Sequence, residues 1–510
     1  MPAAFSIPLT GLAASDPVPG LNYIEVNFAQ GPASIGSNTY PIILIGNKTT
    51  AGSATADTVV YGGPNSPVPL QTTQDFINLF GVGSELHRMA KRVLAINTQT
   101  PLYAIAVTES VGVAATLAVT FVTTAAANAT CRLYMGDDFV DTSITSGDLI
   151  GAIATNVAAN INAKTDWAVT ASATLGVVTV TAKQKGLRGN QLRGSCVITG
   201  TGVATTVTPT AQTSFTGGTT ADSNVAALAT LNPFRYYYMV SAAEDATQFG
   251  AVATQVATQA GPLVGIRQRA IAGSIDTSGN VTTIATGVNA ARAAIVWMQN
   301  ADLTPAELAA NMAAVIALKE APLSGIATNF DSFGNDASSQ ALWKVPAPRS
   351  GTAPSRATIK SALNNGISPI GVNANGSTYL VSMITTRSLS GAQPDFRTRD
   401  WHKVTVMDRY ADDLGNKFSL QFAGKKIADD PAVGQRLPGP TVVTPRIVLA
   451  AINKLTDDYD NLDCLQNAAQ IKANTQSIRE ASPTTRISNR IPLQPIDVLH
   501  QLASALDQTA

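Results

Sequence analysis

Apolar and polar residues alternate with two different periods along this chain, and the changes of period mark its elements. Pro41-Ile-Ile-Leu-Ile-Gly46 is an uninterrupted apolar run, which predicts a strand buried on both faces. Ser84 is an N-cap and Glu85 suits a first helical turn. Leu86, Met89, Ala90, Val93 and Leu94 then recur at helical spacing, so one face of this helix is apolar. Leu102–Val107 reads as the next strand. The same mixture returns later: a strand over Phe234–Val240, a helix over Ala246–Ala260, and strands at Arg269–Ala272 and Ala293–Met298. Thr304-Pro-Ala-Glu307 is a capping box with proline at the first helical position, opening a helix that ends before Pro322. Strands alternating with helices predict a largely parallel sheet with helical cover. Asn375-Gly376 between Ile370-Gly-Val and Thr378-Tyr-Leu-Val predicts a hairpin. Further on, the pattern predicts a helix from about Asp395, another after Pro445, and an extended end in which Ile487, Asn489 and Ile491 alternate with Arg486, Ser488 and Arg490.

From Ser110 to Ala221 the pattern changes. Charges become sparse and Thr, Ala, Val and Gly dominate. Leu117, Val119 and Phe121 alternate, as do Trp167, Val169 and Ala171, and Val178, Val180 and Ala182. One helical stripe, Leu149, Ile153, Val157 and Ile161, lies between them. This predicts a separate α+β module inserted into the first. At the start, a Pro-rich leader runs into a short extended segment with Tyr23, Ile24, Val26 and Phe28. A terminal strand with no neighbour in sequence must pair with something distant, in this copy or another.

Composition narrows the function. Charged residues are 13% of the 510, and 34 Lys+Arg balance 34 Asp+Glu. A charge-poor surface of zero net charge suits a subunit covered by copies of itself. It disfavours a simple nucleic-acid binder, which needs a basic excess to displace counterions. Cys131, Cys196 and Cys464 are odd in number and far apart in sequence, so no disulfide framework is expected and a reducing compartment fits. The first basic residue is Lys48, so no signal-peptide n-region is expected, and no stretch reads as a membrane span.

Candidate chemistry fails in each place it is sought. Ile45-Gly-Asn-Lys48-Thr49 follows a strand, but a phosphate loop needs glycine where Asn47 and Ile42 stand. Gly81-Val-Gly83 lacks the third glycine of a dinucleotide fingerprint, since Leu86 occupies that position. His87, His402 and His500 have no Cys, His or Glu at metal-ligand spacing, and read as structural or surface residues. Asp412-Asp413, Asp429-Asp430 and Asp457-Asp458 read as solvated or intersubunit charges, because adjacent helical residues do not face each other. No catalytic residue, cofactor or metal is therefore expected.

Several segments, in order, resemble the sheath proteins of contractile phage tails of the Mu-like type: Gly20-Leu-Asn-Tyr-Ile-Glu25, the strand ending at Ile45-Gly46, Phe80-Gly-Val-Gly-Ser-Glu-Leu-His-Arg-Met89, Asn97 with Leu102–Val107, Ile161-Asn-Ala-Lys-Thr-Asp166, Gly176-Val-Val-Thr-Val-Thr-Ala-Lys183, Lys426-Ile-Ala-Asp429 and Val443-Thr-Pro445. With the patterns above, the resemblance implies a multidomain α/β and α+β chain. Its divisions would be an N-terminal extended arm (1–30), a mixed or parallel α/β sheath core (31–109 and 222–375), an inserted outer protruding domain (110–221), a C-terminal sheath domain (376–482) and a C-terminal arm (483–510). It implies a structural subunit that polymerises as stacked, hexameric rings around a tail tube, meets baseplate and tail terminator proteins, and contracts for genome delivery. It implies assembly in the host cytoplasm, a place in the virion, no nucleic-acid partner and no direct membrane insertion. Tyr23, Ile24, Val26, Phe28, Ile487, Asn489 and Ile491 are expected in intersubunit arms. Arg446, Lys454, Asp457 and Asp458, which put both signs on one element, are expected on a tube-facing helix. The sheath of a tailocin or other contractile injection system would share these features. An α/β enzyme or a surface adhesin are the remaining alternatives, the first without identifiable chemistry and the second without a signal peptide.

Overall fold

The computed structural model describes residues 40–62, 70–200, 205–261, 263–320, 344–351, 354–395, 397–432, 434–436, 438–481 and 484–497. The chain opens with β1 (Ile42–Asn47), β2 (Val60–Tyr61), α1 (Thr73–Phe80), α2 (Glu85–Leu94) and β3 (Leu102–Val107). Ser84 caps α2 by accepting from the His87 N–H. A second group of elements follows: β4 (Ala114–Phe121), β5 (Ala129–Met135), β6 (Asp138–Ile144), α3 (Ile150–Ala163), β7 (Val169–Thr174), β8 (Val177–Lys185), β9 (Arg193–Thr199), β10 (Val207–Thr208) and β11 (Thr213–Ser214). These form two four-stranded sheets, ordered β10-β4-β8-β7 and β11-β9-β5-β6. They share a core with α3 that includes Phe121, Leu133, Ile153, Val157, Val180 and Phe215.

The first sheet then resumes with α4 (Val225–Thr230), β12 (Tyr238–Ala242), α5 (Ala246–Gln259), β13 (Arg269–Ser274), α6 (Ser278–Val288), β14 (Ala293–Trp297), α7 (Pro305–Glu320), α8 (Arg356–Asn364), β15 (Ser368–Val372) and β16 (Thr378–Leu380). Its order is β16-β15-β14-β13-β12-β1-β3-β2, parallel except for the pairs β15–β16 and β2–β3. The period-two rule sorts β1 between two cores. Ile42 and Leu44 join Leu86, Met89 and Met312 on one face, and Ile43 and Ile45 join Phe249, Val252 and Ile284 on the other. Gly376 turns the β15–β16 hairpin at φ 81°.

The remaining elements are β17 (Leu389–Ser390), β18 (Gln393–Pro394), α9 (Trp401–Phe422), β19 (Lys426–Ile427), β20 (Val442–Val443), α10 (Pro445–Asp460), α11 (Ala468–Asn474), β21 (Gln476–Arg479) and β22 (Ile487–Arg490). Apart from the core sheet, the C-terminal strands make only two-stranded sheets among the described residues.

Three expectations shift. The strand expected from Phe234 begins at Tyr238, and Phe234 is 41% exposed. Leu149 precedes the first turn of α3 with extended backbone, so it leaves the apolar stripe and stays 67% exposed. The helix expected from Asp395 starts at Trp401, because the Asp395 N–H donates to the Ser388 carbonyl and closes the small β17–β18 hairpin instead.

Candidate functional site

In the core sheet the chain leaves β1 toward β3 on one side, whereas from β12 it proceeds to β13 on the other. The carboxyl ends of β1 and β12 therefore flank the switch point, the crevice in which doubly wound sheets hold ligands. Here a side chain of the same protein fills it. Arg188, from the 3-10 turn Leu187–Gln191 between β8 and β9, reaches into the crevice with its side chain only 3% exposed. Its Nη1 lies 2.5 Å from Glu85 Oε2 in the first turn of α2. Its Nε lies 3.1 Å from Asp222 Oδ2 and also contacts Glu244, two residues past β12. Nη2 donates to Asn224 Oδ1 at 3.3 Å. Asn47, the last residue of β1, completes the cage: its N–H donates to Glu85 Oε2 at 2.9 Å and its side-chain amide to Asp222 Oδ2 at 2.7 Å. A Cβ at Gly46 would come within 2.8 Å of Glu85 Oε2 and push that carboxylate out of its place in the cage.

Three carboxyl groups thus surround one guanidinium. Burial pushes the Glu244 carboxyl up to about 8 against the pull of Arg188, so Glu244 is largely protonated at neutral pH. Complete burial opposes the charge on Arg188, and Glu85 and Asp222 hold it in place.

A second ionic joint lies between the same regions. Arg88 Nη1 and Arg92 Nε of α2 meet Glu307 of α7 at 3.1 and 3.7 Å, and Arg92 Nη2 meets Asp137, in the turn between β5 and β6, at 2.6 Å. Burial alone would raise the Glu307 carboxyl, but Arg88, Arg92 and the Thr304 cap hold it down at about 2. Nearby, burial pushes Asp302 up to about 6 although Arg349 and Arg193 oppose it.

A third network seats α9 under the sheet. Arg269 donates to Thr405 at 2.7 Å and to the Tyr237 hydroxyl at 3.0 Å, and pairs with Glu320 at 3.2 Å. Glu320 also accepts from Trp401 Nε1 at 3.1 Å and from the Tyr238 hydroxyl. The second half of α9 enters the C-terminal lobe. There Leu414, Phe418 and Phe422 pack with Val443, Val448, Ile452, Ile487 and Ile491.

The expected assembly residues fall as follows. Tyr23, Ile24, Val26 and Phe28 lie outside the described residues, as does His500. Ile487 and Asn489 sit on β22, opposite Arg479 and Ser477 of β21 in the same chain, and Ile491 follows directly. A groove of about 220 Å³ runs alongside, with Phe418, Phe422, Val448 and Ile487 at its apolar wall and Lys425 and Lys426 at its rim. Arg446, Lys454, Asp457 and Asp458 all lie on α10. At 3.6 residues per turn they share an arc of roughly 120°. Val448, Ile452, Leu455 and Tyr459 are buried on the opposite side. Lys454 pairs with Asp458 at 2.8 Å, and Asp457 with Lys472 of α11 at 2.5 Å.

Sequence reasoning misplaced one carboxylate pair. Asp412 binds Arg235 at 2.6 Å and Arg267 at 2.8 Å, and Asp413 accepts from the Tyr459 hydroxyl at 2.7 Å, so both tie α9 to its own chain. His87 is buried, and its Nδ1 accepts from the Gly83 N–H at 3.1 Å. Cys131 and Cys196, distant in sequence, are neighbours in space. Among the described residues no group of three or more His, Cys, Asp or Glu could hold a metal ion, and no helix is long and apolar enough to cross a membrane.

No protein-family model matches the chain. Over 497 residues it is 24% identical to the Mu-like prophage FluMu tail sheath protein of Haemophilus influenzae, covering 96% of this chain and 94% of that one. Among solved structures it aligns with a sheath tail protein of Desulfitobacterium hafniense at 13% identity and TM-score 0.47, covering 94% and 97% of the two chains. It also aligns with the contracted sheath of an extracellular contractile injection system at 11% identity and TM-score 0.46, covering 98% and 99%. The likeness to Mu-like tail sheath proteins read from the ordered motifs therefore holds along nearly the whole chain.

Proposed function

We propose that this chain is the structural subunit of a contractile tail sheath. It polymerises as a helical shell of stacked, hexameric rings around a tail tube and contracts to drive that tube through a host envelope. The observation that carries this reading is the end-to-end similarity to the Mu-like prophage tail sheath protein. The plugged switch point supports it, because the crevice where an α/β enzyme would bind its substrate is filled by Arg188. Contraction then needs no nucleotide, its energy lying in the difference between two packings of the same subunit.

The C-terminal lobe supplies surfaces for polymerisation. Strand β22 pairs on one edge with β21, and β19–β20 is a two-stranded sheet beside the groove. Such edges offer unpaired N–H and C=O groups to an added strand. In this reading the segment around Tyr23–Phe28 of a neighbouring copy adds there, and heterologous contacts that do not close generate a helix. Residues 110–221 form the outward domain. The charged face of α10 meets the tube, and baseplate and tail terminator proteins bound the two ends. The subunit assembles in the host cytoplasm and resides in the released tail.

Electron microscopy of the purified protein tests the reading. Tubes or rings are expected, and a uniform population of compact particles would overturn it. Deleting residues 1–30, or those from 483 onward, is expected to leave folded monomers that form no tubes.

A further inference from the structure

The inserted module contains two of the chain's three cysteines, and the fold brings them together. Cys131 lies on β5 and Cys196 on β9, which are antiparallel neighbours. The register sets Cys131 opposite Ile198 and Leu133 opposite Cys196. The two cysteines are therefore diagonal neighbours, two positions apart, and point to the same face of the sheet. Their Sγ atoms are 2.9 Å apart, and both side chains are fully buried in the core shared with α3. Cys464, the third, is buried in a different cluster in the C-terminal lobe, where its thiol donates to the Leu462 carbonyl at 3.5 Å.

We infer that Cys131 and Cys196 are a site of oxidative cross-linking: thiols while the chain is in a reducing compartment, and a disulfide once it meets a low-molecular-weight disulfide oxidant outside. The sulfurs already face each other 2.9 Å apart across adjacent strands, and bond formation draws the two diagonal backbone positions together. In the reaction the thiolate of one cysteine attacks a sulfur of the oxidant and releases one small thiol. The second cysteine then displaces the other half. One S–S bond breaks in the oxidant and one forms between Cys131 and Cys196. The two cysteine protons leave on the two small thiols.

Position gives the bond its consequence. The segment between the cysteines contains β6, α3, β7 and β8, so a link between these two strands of one sheet closes a loop that includes two strands of the other. Loop closure of that length constrains the unfolded module. The S–H···S contact and burial both push the Cys196 thiol upward, so oxidation proceeds through transient opening of the β5–β9 pair and is slow in the resting protein.

The test uses the full chain and does not depend on assembly into a sheath. Protein is incubated with 2-hydroxyethyl disulfide or with dithiothreitol, then denatured, and its free thiols are counted with a chromogenic disulfide. The dithiothreitol sample is expected to show three thiols per chain and the oxidised sample one, with a Cys131–Cys196 peptide found by mass spectrometry. In Cys464→Ser the count should fall from two to none, and in Cys131→Ser two should remain. The oxidised wild type should also resist proteolysis within residues 110–221 longer than the reduced one. Three thiols after oxidation would overturn the inference. So would a mixed adduct carrying the oxidant, or a bond to Cys464 in place of the internal link.

Discussion

The joint between the inserted module and the core differs from the C-terminal lobe in where it places charge. At the joint, the cluster around Arg188 is buried and connects elements far apart in sequence, while Lys91 and Asp166 pair at its edge, 60% and 40% exposed. Arg188 and its partners Glu85 and Asp222 have side chains between 0 and 6% exposed, and the neutral Glu244 carboxyl is buried beside them. In the lobe the pairs lie in solvent: Lys454 and Asp458 are 66% and 44% exposed, and Asp429, paired with Arg479, is 80% exposed. A chain with only 13% charged residues thus holds part of its charge inside. Exposed pairs contribute little to folding and are free to meet a partner. Buried pairs act as locks, because removing one member strands the others. A joint of locked charge suits parts that stay together, and a lobe with open edges and solvated charge suits one that binds other chains.

The largest break in this contrast comes at Arg188. Arg188→Ala leaves three carboxyl groups together in a dry crevice and is expected to cost about 3–5 kcal/mol, read from urea denaturation. Arg188→Lys should recover only part, since an ammonium cannot bridge the partners that the planar guanidinium reaches. A loss below about 1 kcal/mol would mean that the crevice takes up water and the lock is weak. Excising residues 110–221 removes the same guanidinium. The remaining core is therefore expected to need Glu85→Gln alongside the excision to stay folded.

A smaller effect should appear as a pH dependence. Glu244 has its carboxyl raised from 4.5 to about 8 in the folded chain. Between those values the folded state holds a proton that the unfolded state has lost. Unfolding releases it, so rising pH favours unfolding across that window. Asp302, raised from 3.8 to about 6, acts in the same direction over a lower range. Glu307 acts oppositely: its stabilisation is present above 4.5 and is lost as pH falls toward about 2. The melting temperature should therefore decline from about pH 5 to pH 8, and Glu244→Gln should flatten that decline. An equal slope in the variant would remove Glu244 as its source.

How much of this the sequence showed follows from the range of the interactions. Local periodicity sufficed for β1, β3, α2, α5, β13 and β14, because each contains its own apolar pattern. The Thr304–Glu307 capping box and the Asn375-Gly376 hairpin are likewise local, and both form. The switch-point cage was not legible. Glu85 and Arg188 are 103 positions apart, and nothing near Arg188 distinguishes it from a surface arginine. The same holds for Asp412, whose partner Arg235 is 177 positions away. The cysteine pair shows only when β5 and β9 are known to be neighbours. The failed phosphate and dinucleotide motifs pointed to the right end of β1, where the crevice lies, without revealing what fills it.

The smallest expected effect on the folded chain, and the sharpest test of the contrast, lies on α10. Arg446 and Lys454 stand on the side of the helix opposite Val448, Ile452 and Tyr459, so reversing them disturbs no buried contact. Arg446 uses its backbone N–H to reach Asp430, a bond that side-chain replacement leaves intact. Lys454 gives up one exposed i,i+4 pair with Asp458, in a setting where solvent already screens both charges. The monomer carrying Arg446→Glu and Lys454→Glu should therefore melt with the wild type within experimental scatter. If this face meets a tail tube, its charges act in encounter and register, and reversal turns attraction into repulsion along the whole helix. Polymerisation on purified tubes should then be slowed several-fold, more strongly at low salt than at high salt, where the Debye length shortens. Equal polymerisation at low salt would assign the tube contact to another surface. A lowered melting temperature would instead show that these exposed charges support the lobe itself, and the distinction between locked and solvated charge would fail at its plainest example.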